Sequence, residues 1–266
     1  MDDIKPLAID LCCGLGGWTE GLIAEGYYVV GFDIEQHQYG DEKYPGQLVI
    51  QDILTLHGKQ FKDAALIVAS PPCQEYSYMA MPWSLAKEKR RKLLAGEDDP
   101  KRLTALFDAC FRIQREAIEA AGHFIPLIVE NVRGAQEWVG RSRWNYGSFH
   151  LWGDVPALMP IAKTFKVPGF RFDGSGKSFQ TASVEESSIK GVPHRPTGHW
   201  TNAAENGTKQ PGICGPRENG KGYAWFQDGA ARHGSKSNAR KAASAMIAKI
   251  PLPLSRYIAS VYRPFK

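Results

Sequence analysis

The feature that most constrains this chain is a series of short apolar runs, each stopping at chemically distinctive residues. Leu7-Ala8-Ile9-Asp10-Leu11 runs into the glycine-rich stretch Cys12-Cys13-Gly14-Leu15-Gly16-Gly17. Tyr28 to Phe32 stops at Asp33, and Gln47 to Ile50 is followed by Asp52-Ile53. Leu66-Ile67-Val68-Ala69 meets Ser70-Pro71-Pro72-Cys73-Gln74, and Phe124 to Val129 meets Glu130-Asn131. Runs this short are strands rather than helices. Between them lie helical patterns: Thr19 to Ala24, closing at Gly26, and residues 101 to 121, with Leu103, Leu106, Phe107, Cys110, Ile113 and Ile118 on one face. Short apolar strands alternating with helices predict an α/β fold with a Rossmann-like, largely parallel sheet and helices on both faces. Such sheets bind ligands at the carboxyl ends of their strands, where every one of these clusters falls.

The second half reads differently. Residues 160 to 240 are rich in Gly, Pro, Ser, Asn and Lys, which predicts a small irregular module with long loops. The chain then closes with a helical pattern from Ala242 to Tyr262, interrupted at Pro251 and Pro253. This divides the chain into a catalytic and cofactor-binding domain (1–158), a small recognition region (159–240) and a C-terminal helix (241–266) returning to the first domain. No apolar run approaches the roughly 18 to 20 residues of a membrane span. The start, Met1 to Pro6, lacks the basic-then-apolar order of a leader, so a cytoplasmic protein without membrane contact is expected. Five cysteines at irregular spacing argue against a zinc site and for reduced thiols, and no metal is expected. The net charge of +5 is too mild to single out a nucleic-acid partner, but basic residues cluster at Lys87 to Lys92 and again over residues 232 to 241.

Each strand end offers particular chemistry. Glycines after the first strand let a backbone approach a ligand closely, and the following helix N-terminus adds partial positive charge. Asp33, ending the next strand, suits a ribose diol. NAD(P) and S-adenosylmethionine both fit, although Gly-x-Gly-Gly spacing departs from the dinucleotide fingerprint. Asp52 could accept from an adenine amino group while Ile53 covers the ring. Pro71 and Pro72 remove backbone donors and end the strand, presenting Cys73 at the sheet edge as a nucleophile rather than a core filler. Glu130, partly buried at the same edge, could carry a raised pKa and donate a proton.

Taken together, Asp10 to Gly17, Ser70-Pro71-Pro72-Cys73-Gln74 and Glu130-Asn131-Val132 resemble, in order and in strand position, three motifs of the DNA cytosine-C5 methyltransferase family. The resemblance covers roughly residues 5 to 155, with a weaker part at Ser244 to Ile258. It implies an S-adenosylmethionine-dependent enzyme. Cys73 would add to C6 of a cytosine flipped out of double-stranded DNA, and Glu130 would serve its N3. It assigns cofactor contacts to Asp10, Cys12, Gly14, Gly16, Gly17, Asp33, Ile34, Asp52, Ile53 and Pro72. Nucleic-acid contacts fall to Gln74, Ser77, Lys89, Arg90, Arg141 and Arg143. Gln74 to about Pro100 would be a mobile loop closing over the base, and residues 160 to 240 the target-recognition region. A monomer suffices for base flipping, and the setting implied is a bacterial or phage-infected cell, within a restriction–modification system or as an orphan methylase.

Some positions depart from the family pattern. Cys12 stands where an aromatic residue is usual, Arg141-Ser142-Arg143 lacks the glutamine of the Gln-x-Arg-x-Arg motif, and Ser244 replaces an asparagine. A tRNA cytosine methyltransferase of the same fold shares the three motifs. A silent nucleic-acid-binding relative would need neither Cys73 nor Glu130, and an NAD-dependent oxidoreductase would not need Pro-Pro-Cys-Gln.

Overall fold

The computed structural model describes residues 5–72, 83–97, 99–159, 241, 245 and 248–264. The chain divides into two units: Met1–His37 with Tyr44–Thr164 and Ile250–Lys266, and Gln38–Lys43 with Phe165–Lys249.

The first unit is built on a seven-stranded sheet. Its strands are β1 (Leu7–Leu11), β2 (Tyr28–Asp33), β5 (Gln47–Ile50), β6 (Ala64–Ala69), β7 (Leu127–Asn131), β8 (Trp144–Tyr146) and β9 (Phe149–Gly153). They lie in the order β5-β2-β1-β6-β7-β9-β8. The first five are parallel, whereas β9 runs antiparallel to both β7 and β8. Register pairs Leu11 with Phe32 and Ala69, and Ala69 with Val129, so the ends of β2, β1, β6 and β7 share one edge.

Alternation along these strands feeds two cores. Ile9, Leu11, Ile67, Ala69, Leu127 and Val129 pack with Phe107, Cys110 and Ile113 of α3 (Pro100–Ala121). Ala8, Leu66, Val68 and Ile128 pack on the other face with Trp18 and Leu22 of α1 (Gly17–Ala24) and Leu254 and Ile258 of α5 (Leu252–Tyr262). Helices therefore cover both faces, as a parallel sheet requires, and the architecture is that of a Rossmann-like methyltransferase.

α1 and α5 touch almost backbone to backbone. A Cβ on Gly21 would run into Ser255 Oγ and the Arg256 nitrogen, and one on Gly17 into the Ile250 nitrogen. Tyr27 Oη, buried beneath, donates to Ala259 O. In the second unit the described residues form a two-stranded hairpin, β3 (Gln38–Tyr39) and β4 (Glu42–Lys43), turning at Gly40 with φ +63°.

Several expectations need correcting. The last parallel strand begins at Leu127 rather than Phe124, because Pro126 has no N–H for the ladder. Its carbonyl instead accepts from Ile67 N. Glu130 and Asn131 therefore lie inside the strand, paired with Leu151 and His150 of β9. The closing helical pattern does break at Pro251: residues 241, 245 and 248 are helical, 249–251 are not, and helix resumes at Leu252. Pro253 lies not in the break but in the first turn of the second helix, where no N–H is needed. The span expected to be a loop, Gln74 to Pro100, contains a helix, α2 (Trp83–Leu94), whose Arg91 is braced by Glu88 and Glu97. No described helix is long and apolar enough to cross a membrane. Residues 160 to 240 lie outside the described residues.

Candidate active site

The loop after β1 is shaped by positive φ angles at Cys12 (+54°), Gly14 (+51°) and Gly16 (+77°). The glycines serve different ends. A Cβ on Gly16 would clash with Tyr44 and Pro45, and one on Gly17 with Ile250, so both are demanded by packing. A Cβ on Gly14 would meet nothing within 4 Å, so only Gly14 faces open space.

Asp33 fastens this loop. Its Oδ2 accepts from Gly14 N at 2.9 Å, and its Oδ1 from Ile34 N at 2.8 Å and Glu35 N at 3.4 Å. Burial pushes its pKa up, but bonding to His37 and these backbone N–H groups outweighs that, leaving it below the ordinary value and ionised.

Asp10 is its opposite. It is 0% exposed in β1. Its Oδ2 accepts from Thr19 Oγ1 at 2.7 Å, and among the described residues its Oδ1 has no partner. With the single Thr19 hydroxyl proton committed to Asp10, Tyr44 Oη donates to Thr19 at 2.7 Å. Burial pushes Asp10 up to about 8; the Thr19 bond opposes this, and the nearby Asp33 charge adds to it.

Asp52 caps a 3-10 turn (Ile53–Thr55) through Oδ1, which accepts from Leu54 N at 2.9 Å and leaves Oδ2 available. The turn is gripped from α3. Arg112 donates to the carbonyls of Leu56 (2.8 Å), Leu54 (3.3 Å) and Ile53 (3.4 Å), while Glu116 accepts from Gly58 N. Ile53 departs from expectation: at 2% exposure its side chain belongs to the core and offers no face to a ring. Sequence could not distinguish an isoleucine that covers a ligand from one that anchors a turn. Ile34, Ile50 and Leu54 are exposed apolar groups at this edge.

At the centre, β6 ends at Ala69, and Ser70 N donates to Leu11 O. Pro71 is buried and Pro72 exposed. Asn131 Nδ2 donates to Pro71 O at 3.0 Å, tying β7 to the proline loop. Glu130 is 8% exposed, and burial pushes its carboxyl up to about 8 against a lowering hydrogen bond from Ser70. Ser70 Oγ also accepts from Trp18 Nε1 at 3.0 Å. Sequence reading passed over Trp18, Thr19, Ser70 and the clamp made by Asn131. The available signal was a serine before the two prolines and a tryptophan on the helix turn facing that strand.

Cys73, Gln74 and Ser77 lie outside the described residues, as does the side chain of Lys89. Arg90 is ion-paired to Glu137 at 2.7 Å. Arg141 and Arg143 are exposed. Ser142 between them is held by Gln136 Oε1 and His150 Nδ1, and Arg143 N donates to Leu151 O. Among the described residues no cluster of His, Cys, Asp and Glu could hold a metal ion.

A parallel sheet whose first loop is glycine-shaped and fastened to an acid on the next strand has the Rossmann-like fold that methyltransferases share. Residues 7–136, just under half of the chain, match the model of the C-5 cytosine-specific DNA methylase family. No curated protein matches the chain. Three solved structures are similar to it. One is a prophage-encoded protein from E. coli described as a DNA modification methyltransferase (19% identity, 51% of this chain and 35% of that one, TM-score 0.32). Another is a Spodoptera frugiperda DNMT2 mutant (19%, 51% and 38%, TM-score 0.33). The third is the Entamoeba histolytica methyltransferase EhMeth (11%, 98% and 98%, TM-score 0.47). The matches to the first two span little more than a third of those chains' length.

Proposed function

We propose that the chain methylates C5 of cytosine in double-stranded DNA, using S-adenosylmethionine and a covalent bond from Cys73 to C6. The observation carrying this reading is the Asn131–Pro71 clamp, which ties the strand of the buried Glu130 to the proline loop that leads into Cys73, burial raising the Glu130 carboxyl to about 8.

The residues present suit the cofactor. Gly14 leaves room for close approach, ionised Asp33 can accept from ribose hydroxyls, and Asp52 Oδ2 can accept from an adenine amino group. Ile34 offers an apolar surface, and Pro72 is exposed beside Cys73 in sequence. When bound, the cofactor supplies an electrophilic methyl group on a sulfonium. The chain's own part is to make C5 nucleophilic. As the Cys73 thiolate bonds to C6, the ring's C5–C6 double bond is lost. Glu130 gives its proton to N3, so charge does not accumulate on the ring. A carboxyl ordinarily ionised at neutral pH could not donate; one raised to about 8 can. After transfer, the C5 proton passes to solvent water, the C6–S bond breaks with its electron pair leaving on the Cys73 thiolate, and N3 returns its proton to Glu130, which restores the aromatic ring. Reaching C6 requires the base to leave the stack, and residues 159–240 are the proposed target-recognition region.

Nucleoside mass spectrometry on DNA and RNA from cells expressing the chain, beside a Cys73→Ala control, tests this. New 5-methylcytosine in DNA only with the intact cysteine is expected. The same mark in RNA alone would overturn DNA as substrate, and its absence from both would overturn the reaction.

A further inference from the structure

The hydroxyl of Ser70 is held from two sides. Trp18, 2% exposed, donates its indole N–H to Ser70 Oγ at 3.0 Å. On the neighbouring strand Glu130 sits one step beyond the pair Ala69–Val129, level with Ser70, and its carboxyl is bonded to the Ser70 side chain. The geometry points to Ser70, oriented by Trp18, as a positioning residue that decides which Glu130 oxygen carries the acid proton. This rests on Glu130 being the acid of the reaction proposed above.

A hydroxyl has one hydrogen and two lone pairs, whereas an indole N–H only donates. Trp18 occupies a lone pair of Ser70 Oγ, so the Ser70 hydrogen cannot point at Trp18 and is left to Glu130. One carboxyl oxygen then accepts from Ser70, and the carboxyl's own proton resides on the other. Without Ser70 that constraint on the proton's placement is lost.

The same bond acts during transfer. It is stronger to a carboxylate than to a neutral acid. It therefore stabilises the ionised Glu130 formed once the proton has moved to N3, an interaction that grows along the reaction. Its removal raises the proton affinity of Glu130 and slows donation. Loop position is secured separately, because Asn131 holds Pro71 whether or not the hydroxyl is present.

Isotope-edited infrared titration of Glu130, assigned by its loss in Glu130→Gln, tests this on the full chain without requiring activity. In Ser70→Ala the midpoint is expected to rise by about one pH unit, a tenfold change in proton affinity. Trp18→Phe should move it the same way by less, and Ser70→Thr should restore it. Single-turnover methylation at pH 7 should fall roughly tenfold in Ser70→Ala, with cofactor affinity unchanged and the alkaline limb of the rate profile moved upward. An unmoved midpoint in Ser70→Ala, with an unchanged melting temperature, overturns the role of Ser70, whether or not Trp18→Phe folds. Full methylation by Glu130→Gln overturns the acid reading instead, so the two failures are distinct.

Discussion

Glu130→Gln should stabilise this protein at neutral pH while abolishing its methylation. The wild-type carboxyl moves from an ordinary 4.5 to about 8 in the fold, chiefly because it is buried. With the folded value raised, its contribution to stability is fully present below about pH 4.5 and is lost as pH rises toward 8. The loss accumulates at about 1.4 kcal/mol per pH unit. From pH 4.5 to pH 7 it amounts to about 3 kcal/mol. Glutamine has no proton to lose, and its Oε1 can still accept from Ser70. At about 2–4 °C per kcal/mol for a chain of this size, the variant should melt about 6–12 °C higher at pH 7. It should melt close to wild type at pH 4.5. Thermal melts of both proteins at half-unit steps from pH 4.5 to 8 read this directly. A gap that does not widen with pH would refute the reasoning, because Glu130 would then titrate as an ordinary carboxylate and could not be the acid.

Gly21→Ala should destabilise the fold although alanine is the better helix former. The overpacking of α1 against Ser255 and Arg256 outweighs a propensity gain of about 1 kcal/mol, for a net loss of about 1–2 kcal/mol in urea unfolding. An equal or higher midpoint would show that the two helices can part. Asp33→Asn should weaken S-adenosylmethionine binding roughly tenfold by calorimetry, since it loses the ionised acceptor and half the fastening of Gly14; unchanged affinity would remove Asp33 from the proposed site. Arg112→Ala should free the carbonyls of Ile53, Leu54 and Leu56, costing about 1–3 kcal/mol and raising the cofactor KM with little change in kcat. A fall in kcat alone would contradict a role confined to the Asp52 turn.

The inner parallel strands were legible because they are buried on both faces and read as unbroken apolar runs. Gln47 to Ile50 and the closing residues Leu11, Asp33 and Ala69 fall where the sequence puts them. The antiparallel strands β8 and β9 were not legible. Trp144-Asn145-Tyr146 is three residues long, and Phe149 to Gly153 follows it with only Gly147-Ser148 between, so neither rises above a loop pattern. The break at Pro251 was legible, whereas Pro253 was misread because proline carries the same letter whether it breaks a helix or opens one. At the site, residue types indicated chemistry but not direction. Gly14, Gly16 and Gly17 look alike in sequence, yet two are filled against by neighbours and one is open. Ile53 and Ile34 look alike as apolar partners, yet one is 2% and the other 68% exposed. Contacts between residues 52 positions apart, such as Trp18 to Ser70, leave no local trace.

Three acids near the strand ends are driven apart in proton affinity by their surroundings rather than by their identity. Asp33 gathers backbone N–H donors from Gly14, Ile34 and Glu35 and stays ionised. Asp10, one strand away, receives among the described residues one hydroxyl, with none on Oδ1, and is held near 8. Glu130 receives the Ser70 hydroxyl and is raised as far. Acids separated in this way are how one fold keeps a proton donor and a fixed negative charge together at neutral pH. Both raised carboxyls lower stability as pH rises. Thr19 and Trp18, which bond Asp10 and Ser70, come from the same turn of α1, and that turn is fixed by the near-backbone contact of α1 with Ile250 and α5. On the proposed reading, the glycines at 17 and 21 therefore serve catalysis indirectly. They bring one helix close enough to set the hydrogen bonds of two acids, and widening that contact should disturb both carboxyls.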